Sequence, residues 1–508
     1  ISLGLVGSEM CIRDSYQDVK MERGLADYDD LLVYWLKILN SNQEAAEYYQ
    51  RRFSHVLVDE YQDVNSLQAQ IVDKIAVNHQ IMAVGDDAQC IYTWRGADLD
   101  QIISFPERHP QTKIFKIETN YRSSPEILKL ANEILLSRSI KNSFSKQLKP
   151  ACPHRDLPVL VPTMDTYQQA DFVLSKVQSL YDYGTEYEEM AILYRAHYHA
   201  MELQVELSRR GIPFVITSGM RFFEQAHVKD LVSQLRFIAN PKDLTAFLRF
   251  VCLLPRIGEK TAAKLLALGE KTASSHAISL IDAFKESEVI AKVPNEARED
   301  WLSMVETLQN IDLLASSATP AKVVEGAISG WYQDYLRSTF ENWPRREEDL
   351  ESLVDFASKY ENLAEMLSQL VLLSSESGDR VVQKGESCLR LSTIHQSKGL
   401  EFPHVFIIGL ADGLFPNKRA IDGESDIEEE RRLFYVAATR AEKSLHLVFP
   451  MLSSQRGTPV RLMQSRFLKE ISDSRYELHN AHSSFGQSPR QGGWNYKGYR
   501  TNRFGAFQ

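Results

Sequence analysis

What most constrains this chain is an alternation. Nine short apolar runs, each bounded by turn-forming residues, are separated by stretches of helical period. The predicted strands are His55 to Val58, Ile81 to Val84, Lys113 to Ile117, Val159 to Val161, Ala191 to Tyr194, Phe214 to Thr217, Leu389 to Ile394, His404 to Ile408 and Leu445 to Phe449. Strands that alternate with helices build βαβ units, so the fold class is α/β with parallel sheets. Between Phe223 and about Gly385 the strands stop. The chain turns helical in period, as in Leu231, Leu235, Ile238 and again in Leu353, Phe356, Tyr360, Leu363. A helical block inserted into an α/β framework is the economical reading, with Ser374 to Glu386 as the linker back to the sheet. Beyond Ile471 the periodicity fades, and a disordered tail to Gln508 is expected.

Composition narrows the class. At 508 residues, 44% hydrophobic and 25% charged, the chain is long enough for three or four folded units. No apolar run approaches the roughly 18 to 20 residues of a membrane span. Five scattered cysteines without a CxxC pair indicate neither a zinc site nor a disulfide framework, and a reducing cytoplasm fits. A net charge of −10 leaves a nucleic-acid partner open, because binding depends on local patches. The first fifteen residues lack the basic region and cleavage site of a signal peptide. Their composition breaks abruptly at Tyr16, and they read as foreign to the rest of the chain.

Five segments carry residues suited to chemistry. HVLVDEYQDVN (55 to 65) ends an apolar run in Asp59 and Glu60. Two carboxylates at the C-terminal edge of a parallel sheet suit nucleotide hydrolysis, Asp59 holding Mg²⁺ and Glu60 deprotonating the attacking water. A solvated strand end with a helix cap satisfies the same letters. In MAVGDDAQCIYTWRGA (82 to 97), Gln89 could sense a phosphate, while Tyr92, Trp94 and Arg95 set aromatics beside a cation, as stacking on unpaired bases requires. A buried Trp anchoring a loop is the other reading. IETNYRSSPEI (117 to 127) leads to Arg122 and a helix start with Ser124 as cap and Pro125 in the first turn. RLSTIHQSKGLEFPHVFIIGL (390 to 410) places His395, Lys398 and Glu401 on a loop between two strands, suited to phosphates and a ribose. EEERRLFYVAATRA (428 to 441) reads as one amphipathic helix ending near Arg440, with Glu428 to Arg432 a solvated face and Leu433, Phe434, Val436 and Ala437 core.

In this order and at these separations the five segments resemble the UvrD/Rep/PcrA family of superfamily 1 DNA helicases. DEYQD looks like motif II, GDDAQCIYTWRGA like motif III, NYRSSPEI like motif IV, TIHQSKGLEF like motif V and EERRLFYVAATRA like motif VI. DYDDLL (27 to 32), AILYR (191 to 195) and GMRFFE (219 to 224) match as well, and the resemblance covers about residues 16 to 470. It implies two RecA-like parallel-sheet domains, 1A and 2A, the first incomplete, with a mostly helical insertion, 2B. Residues 16–124 would be the carboxy-terminal part of 1A, 125–222 the first part of 2A, 223–385 domain 2B, 386–472 the second part of 2A, and 473–508 the tail. The segment LLPRIGEKTAAKL (253 to 265) looks like a helix-hairpin-helix, though a plain helix turn fits its letters too.

The resemblance also implies roles. ATP and Mg²⁺ would be the cofactors, with Asp59 the metal ligand, Glu60 the catalytic base, Gln89 the γ-phosphate sensor, and Arg122 and Arg440 arginine fingers. Tyr121 would stack on adenine and Glu401 meet the ribose. Tyr92, Trp94, Arg95, His395, Lys398, Arg221 and Phe222 would serve single-stranded DNA and single/double-strand junctions. Ala88 stands where an acid is commoner and Cys90 where serine is usual. No GxxxxGK[ST] segment, whose amides and lysine hold β and γ phosphates, occurs in the 508 residues. The fragments IGEKT (257 to 261) and LGEKT (268 to 272) lack the Gly-Lys adjacency. The expectation is a truncated helicase that does not hydrolyse ATP by itself. A helicase subunit of a helicase-nuclease and a non-catalytic DNA-binding remnant remain as alternatives.

Overall fold

The computed structural model describes residues 16–76, 80–93, 96–136, 144, 146–217, 225–340, 342–358, 360–370, 387–423, 425–455 and 458–479. The leader (1–15), the linker 374–386, Trp94, Arg95, Arg221 and Phe222 lie outside the described residues.

The first unit is small. Strands β1 (Val56–Val58) and β2 (Ile81–Ala83) pair in parallel, with Leu57 opposite Met82. Alternation sends Val56 and Val58 to one face, where they meet two clusters, one around Leu39, Ile71 and Ile75 and one around Tyr61, Ile102 and Phe105. Leu57 and Met82 point to the opposite face and are exposed. Here one expectation is corrected. Residues 113–117 form no strand; they run without regular structure, Phe115 and Ile117 being 85% and 87% exposed. β-propensity makes a strand only where a neighbouring strand accepts its hydrogen bonds, and among the described residues none pairs with this run. Pairing begins just beyond it, where β3 (Thr119–Asn120) lies parallel to β4 (Lys149–Pro150).

The second unit is a seven-stranded, wholly parallel sheet. Its strands are β5 (Val159–Thr163), β6 (Met190–Tyr194), β7 (Phe214–Ile216), β8 (Leu389–Thr393), β9 (Phe402–Ile407), β10 (Ala441–Pro450) and β13 (Glu477–Leu478), in the order β13-β5-β10-β9-β6-β8-β7. Between β10 and β13 the chain makes an antiparallel ribbon, β11 (Leu452–Gln455) and β12 (Thr458–Arg461). Every residue of β6 is buried, as expected of a central parallel strand covered on both faces. One face packs against helices Pro125–Leu136 and Ile427–Ala438, the other against Thr166–Asp182 and Met201–Arg210.

β13 corrects the tail. Residues 473–479 are ordered: Glu477 N and His479 N donate to Pro158 O and Leu160 O at 2.8 Å each, and Arg475 pairs with Glu133. The free edge of β5 recruits a strand too short to show periodicity. Residues 480–508 lie outside the described residues.

The chain leaves the sheet after β7 and returns in β8, which pairs directly with β7, Phe214 opposite Leu389. Between them the described residues are helical, from Ala226–Ala239 through Trp343–Ala357 and 363–370. They close on their own core, in which Phe237, Phe247, Phe250 and Phe284 interlock and Trp301 Nε1 donates to Phe284 O at 3.0 Å. The segment 253–265 contains a tight turn with Arg256 at φ 60°, followed by helix Glu259–His276 capped by Gly258.

Candidate functional site

Loops at the C-terminal ends of β1 and β2 face the loop after β8 and the helix Ile427–Ala438. Open parallel sheets present ligand sites at such strand ends, because the crossing chain leaves backbone groups and short polar loops there. Asp59 and Glu60 follow β1 directly and are exposed. Glu60 sits at φ 51°, ψ 41°, in the left-handed region that costs a side-chain-bearing residue about 1 kcal/mol or more. The surroundings hold it there: Asp59 Oδ1 accepts from Glu60 N at 2.9 Å, and Gln62 Nε2 donates to Glu60 Oε2.

Gln62 is fully buried and reaches back to the next loop, accepting from Asp86 N at 2.9 Å. This approach explains Gly85. A Cβ there would lie 2.6 Å from Gln62 Oε1 and 2.8 Å from Ile102 Cδ1. Asp86 caps the 3₁₀ turn Asp87–Gln89, accepting from Ala88 N at 2.8 Å and from Gln89 Nε2 at 3.0 Å. Lys146, just before β4, pairs with the same carboxylate and lies 3.6 Å from Asp87. Burial opposes ionisation of Asp86, but Lys146 and these hydrogen bonds outweigh it and hold the carboxyl below its ordinary value. Burial pushes the Cys90 thiol up to about 11, so it stays protonated and serves as a small core residue.

Opposite these loops, Lys398 points inward. Its ammonium donates to Asp63 Oδ2 at 2.5 Å and Gln89 O at 2.9 Å, and lies 3.6 Å from Glu60 Oε2 and 5.2 Å from the centre of the Tyr92 ring. Its side chain is 7% exposed, so it couples the two units rather than lying on an open surface. Burial raises the Asp63 carboxyl above its ordinary value, Glu60 adds to this, and Lys398 works against it. Tyr92 Oη donates to His395 O at 2.8 Å, with the two rings 6.4 Å apart.

The arginines converge from the second unit. Ser123 Oγ donates to Ala441 O at 2.6 Å and Ser124 N to Glu442 O at 3.0 Å, so the turn bearing Tyr121 and Arg122 is pinned to the start of β10. Ser124 Oγ accepts from Ile127 N at 3.4 Å at the head of helix Pro125–Leu136. Arg122 Nε pairs with Glu401 Oε2, and the Tyr121 ring is 79% exposed. Arg440, 2% exposed, donates to Val436 O at 3.1 Å, Leu400 O at 3.0 Å and Thr439 Oγ1 at 3.3 Å. Burial, then Arg122 beside it, push its guanidinium down to about 10, which leaves it charged at neutrality. Two guanidiniums brought toward one point repel each other, an arrangement suited to an anion between them.

The helix before Arg440 overturns an expectation. Glu430, Arg431 and Arg432 are 3%, 7% and 3% exposed, not a solvated face. Each charge has partners. Glu430 pairs with Arg195 at 2.7 Å, Arg431 with Glu428 and Glu470, and Arg432 with Asp426 at 2.9 Å while donating to Cys90 O at 2.8 Å. The helix is buried on both sides because it fills the space between the units. Sequence reading missed Gln62, Asp63, Asp86, Lys146 and Arg432. A Gly-Asp pair closing a strand signalled two of these contacts, whereas nothing local marks Lys146.

The geometry agrees with comparisons to known proteins. Residues 9–110 match the UvrD/REP helicase N-terminal domain and residues 115–450 the UvrD-like helicase C-terminal domain. The ATP-dependent DNA helicase PcrA of Bacillus subtilis is 31% identical over 507 aligned residues, covering 94% of this chain and 66% of the relative. PcrA of Staphylococcus epidermidis is 32% identical, with 94% and 66% covered. PcrA of Staphylococcus aureus is 31% identical, with 92% and 65% covered. The fold and the loop constellation define a helicase-type α/β protein. The chain belongs to the UvrD-like helicase family, and it spans slightly under two thirds of the length of these relatives.

Proposed function

We propose that this chain serves an ATP-dependent 3′ to 5′ DNA helicase, coupling ATP hydrolysis to movement on single-stranded DNA and duplex unwinding in cytoplasmic repair or replication. The observation that carries the reading is the cleft itself. The buried Arg440 and neighbouring Arg122 stand on one side, and Glu60 and Gln89, joined through Gln62 and Asp86, on the other. Paired cations fit a polyphosphate, and the exposed carboxylates of Asp59 and Glu60 fit Mg²⁺ and a proton acceptor.

In this reading Asp59 would hold the metal, whose bound charge offsets that of the phosphates. Glu60, held in its left-handed conformation, takes the proton of the attacking water, and Gln89 orients at the terminal phosphate. Arg122 and Arg440 balance charge on the transferred group when the units are closed. The exposed Tyr121 ring offers a face for adenine, and Glu401, already beside Arg122, an acceptor for a ribose hydroxyl. Tyr92, Trp94, Arg95, His395, Arg221 and Phe222 would line the path of the strand and of single/double-strand junctions, with Lys398 relaying strand occupancy to Asp63 and Glu60.

These residues include no GxxxxGK[ST] loop. The polypeptide by itself therefore binds single-stranded DNA without turning over ATP. Fluorescence anisotropy with a labelled oligonucleotide, beside a phosphate-release assay, tests both halves. Salt-dependent binding without DNA-stimulated release is expected. Turnover that is lost in Glu60→Gln would contradict the inactive state, and absence of binding would contradict the DNA reading.

A further inference from the structure

Lys146 belongs to none of the segments that led to the site, yet it touches the centre of it. It precedes β4, and its side chain is only 15% exposed; Phe144 packs against the Tyr61, Ile102 and Phe105 cluster of the first unit and Leu148 against the core of the second, so Lys146 lies where the two units meet. Its ammonium lies 5.5 Å from the centre of the Tyr435 ring, on the buried helix Ile427–Ala438, and pairs with Asp86. Asp86 is the branch point of the site. Its carboxylate takes the Gln89 side chain at 3.0 Å, and its backbone N–H, through Gln62, supports the Glu60 carboxylate.

We propose that Lys146 is a positioning residue for this reaction: by pairing with Asp86 it fixes the carboxylate that orients Gln89, and with it the residue whose backbone N–H supports Glu60 through Gln62. The proposal rests on reading the cleft as an ATP site, and adds that these two groups reach working geometry only when the lysine is paired with Asp86. Three features favour orientation over a generic surface ion pair. The lysine is largely buried, where an ammonium is costly unless it is paired. The carboxylate it meets also accepts from Gln89 and Ala88 N and is itself buried, so the cation offsets the cost of keeping that acceptor ionised. The ammonium also lies between Asp86 and the Tyr435 ring of the buried helix, so the pair sits at the contact of the two units.

The test uses the 508-residue chain without nucleotide. In protein labelled with ¹⁵N-glutamine, the side-chain amide of Gln89 is assigned by its loss in Gln89→Ala. Lys146→Met should move that amide toward the position of a solvent-exposed glutamine and speed its hydrogen exchange about fivefold to tenfold, the effect of losing one charge-supported hydrogen bond. Lys146→Arg, which keeps the cation, should leave it near its wild-type position, and a thermal melt confirms that each variant is folded. Should Lys146→Met not fold, Lys146→Gln, which also removes the cation but keeps a polar side chain, provides the same readout. An unmoved Gln89 amide in folded Lys146→Met, or equal movement in Met and Arg variants, overturns the proposal. Because no nucleotide is present, failure of the ATP reading would appear only in turnover assays and would not imitate either outcome.

Discussion

Removing Lys398 perturbs the contact between the two units most sharply. Lys398→Met keeps the length and apolar stem of the side chain while deleting the ammonium that meets Asp63, Gln89 O and Glu60. Breaking a buried ion pair by deleting one partner costs about 3 to 5 kcal/mol. Asp63 keeps 24% of its side chain exposed, so water shares its charge and about 2 kcal/mol is the expected loss at pH 7. The pH dependence follows from Asp63, whose folded pKa lies above its ordinary 3.8 because burial outweighs the lysine. An acid raised in the folded state favours folding less as pH climbs above its unfolded value, and removing Lys398 raises it further. The gap between variant and wild type should therefore widen from about pH 4 toward neutrality. The assay is urea unfolding followed by tryptophan fluorescence, in a cycle with Asp63→Asn, which removes the stranded charge. A coupling of about 2 kcal/mol is expected at pH 7. Additivity within about 0.5 kcal/mol would refute the pairing.

Gly85→Ala should cost about 1 to 3 kcal/mol, read as a lowered thermal midpoint, because its Cβ meets Gln62 and Ile102 closer than contact allows. His199 and His446 are each held down to about 3, by burial first and then by Arg195 and Lys176 respectively. The unfolded chain thus binds more protons between those values and 6.5, so stability should fall as pH drops below 6.5 by up to about 1.4 kcal/mol per unit for each. His446→Phe, which removes a buried ring nitrogen without a partner, should flatten part of that slope in melts between pH 4 and 7; an unchanged slope would contradict it. Phe115→Ser with Ile117→Ser should leave the stability unchanged within about 0.5 kcal/mol and lower binding of a hydrophobic dye, since both side chains already face solvent.

Strands buried on both faces were the most legible, because they are built mainly of apolar residues. β6, β8, β9 and β10 were expected within a few residues of their observed ends. The run 113–117, Ile and Phe interrupted by Lys113 and Lys116, has strand-forming residues but no paired neighbour among the described residues, and pairing is a property of the sheet rather than of the run. β13 is a two-residue strand defined wholly by the edge it joins. At the site, Asp59, Glu60, Gln89, Arg122 and Arg440 were visible as polar letters at strand ends and helix ends. The EEERR stretch deceived because charge in a helix normally marks the solvated side. Here partners from three other segments, Arg195, Cys90 and Glu470, meet those charges. Such partners are separated from the helix by up to 342 residues in sequence, beyond any local pattern.

The measurement that bears most directly on the cleft compares Arg440→Ala with wild type in a chain that includes a P-loop, reading DNA-stimulated ATP turnover beside single-stranded DNA affinity. The structure buries Arg440 against Leu400 and Val436, within reach of Arg122. Turnover should fall by about a thousandfold or more, the usual consequence of deleting an arginine finger, with DNA affinity nearly unchanged. Equal losses in both, or full turnover without Arg440, would contradict the assignment of this cleft.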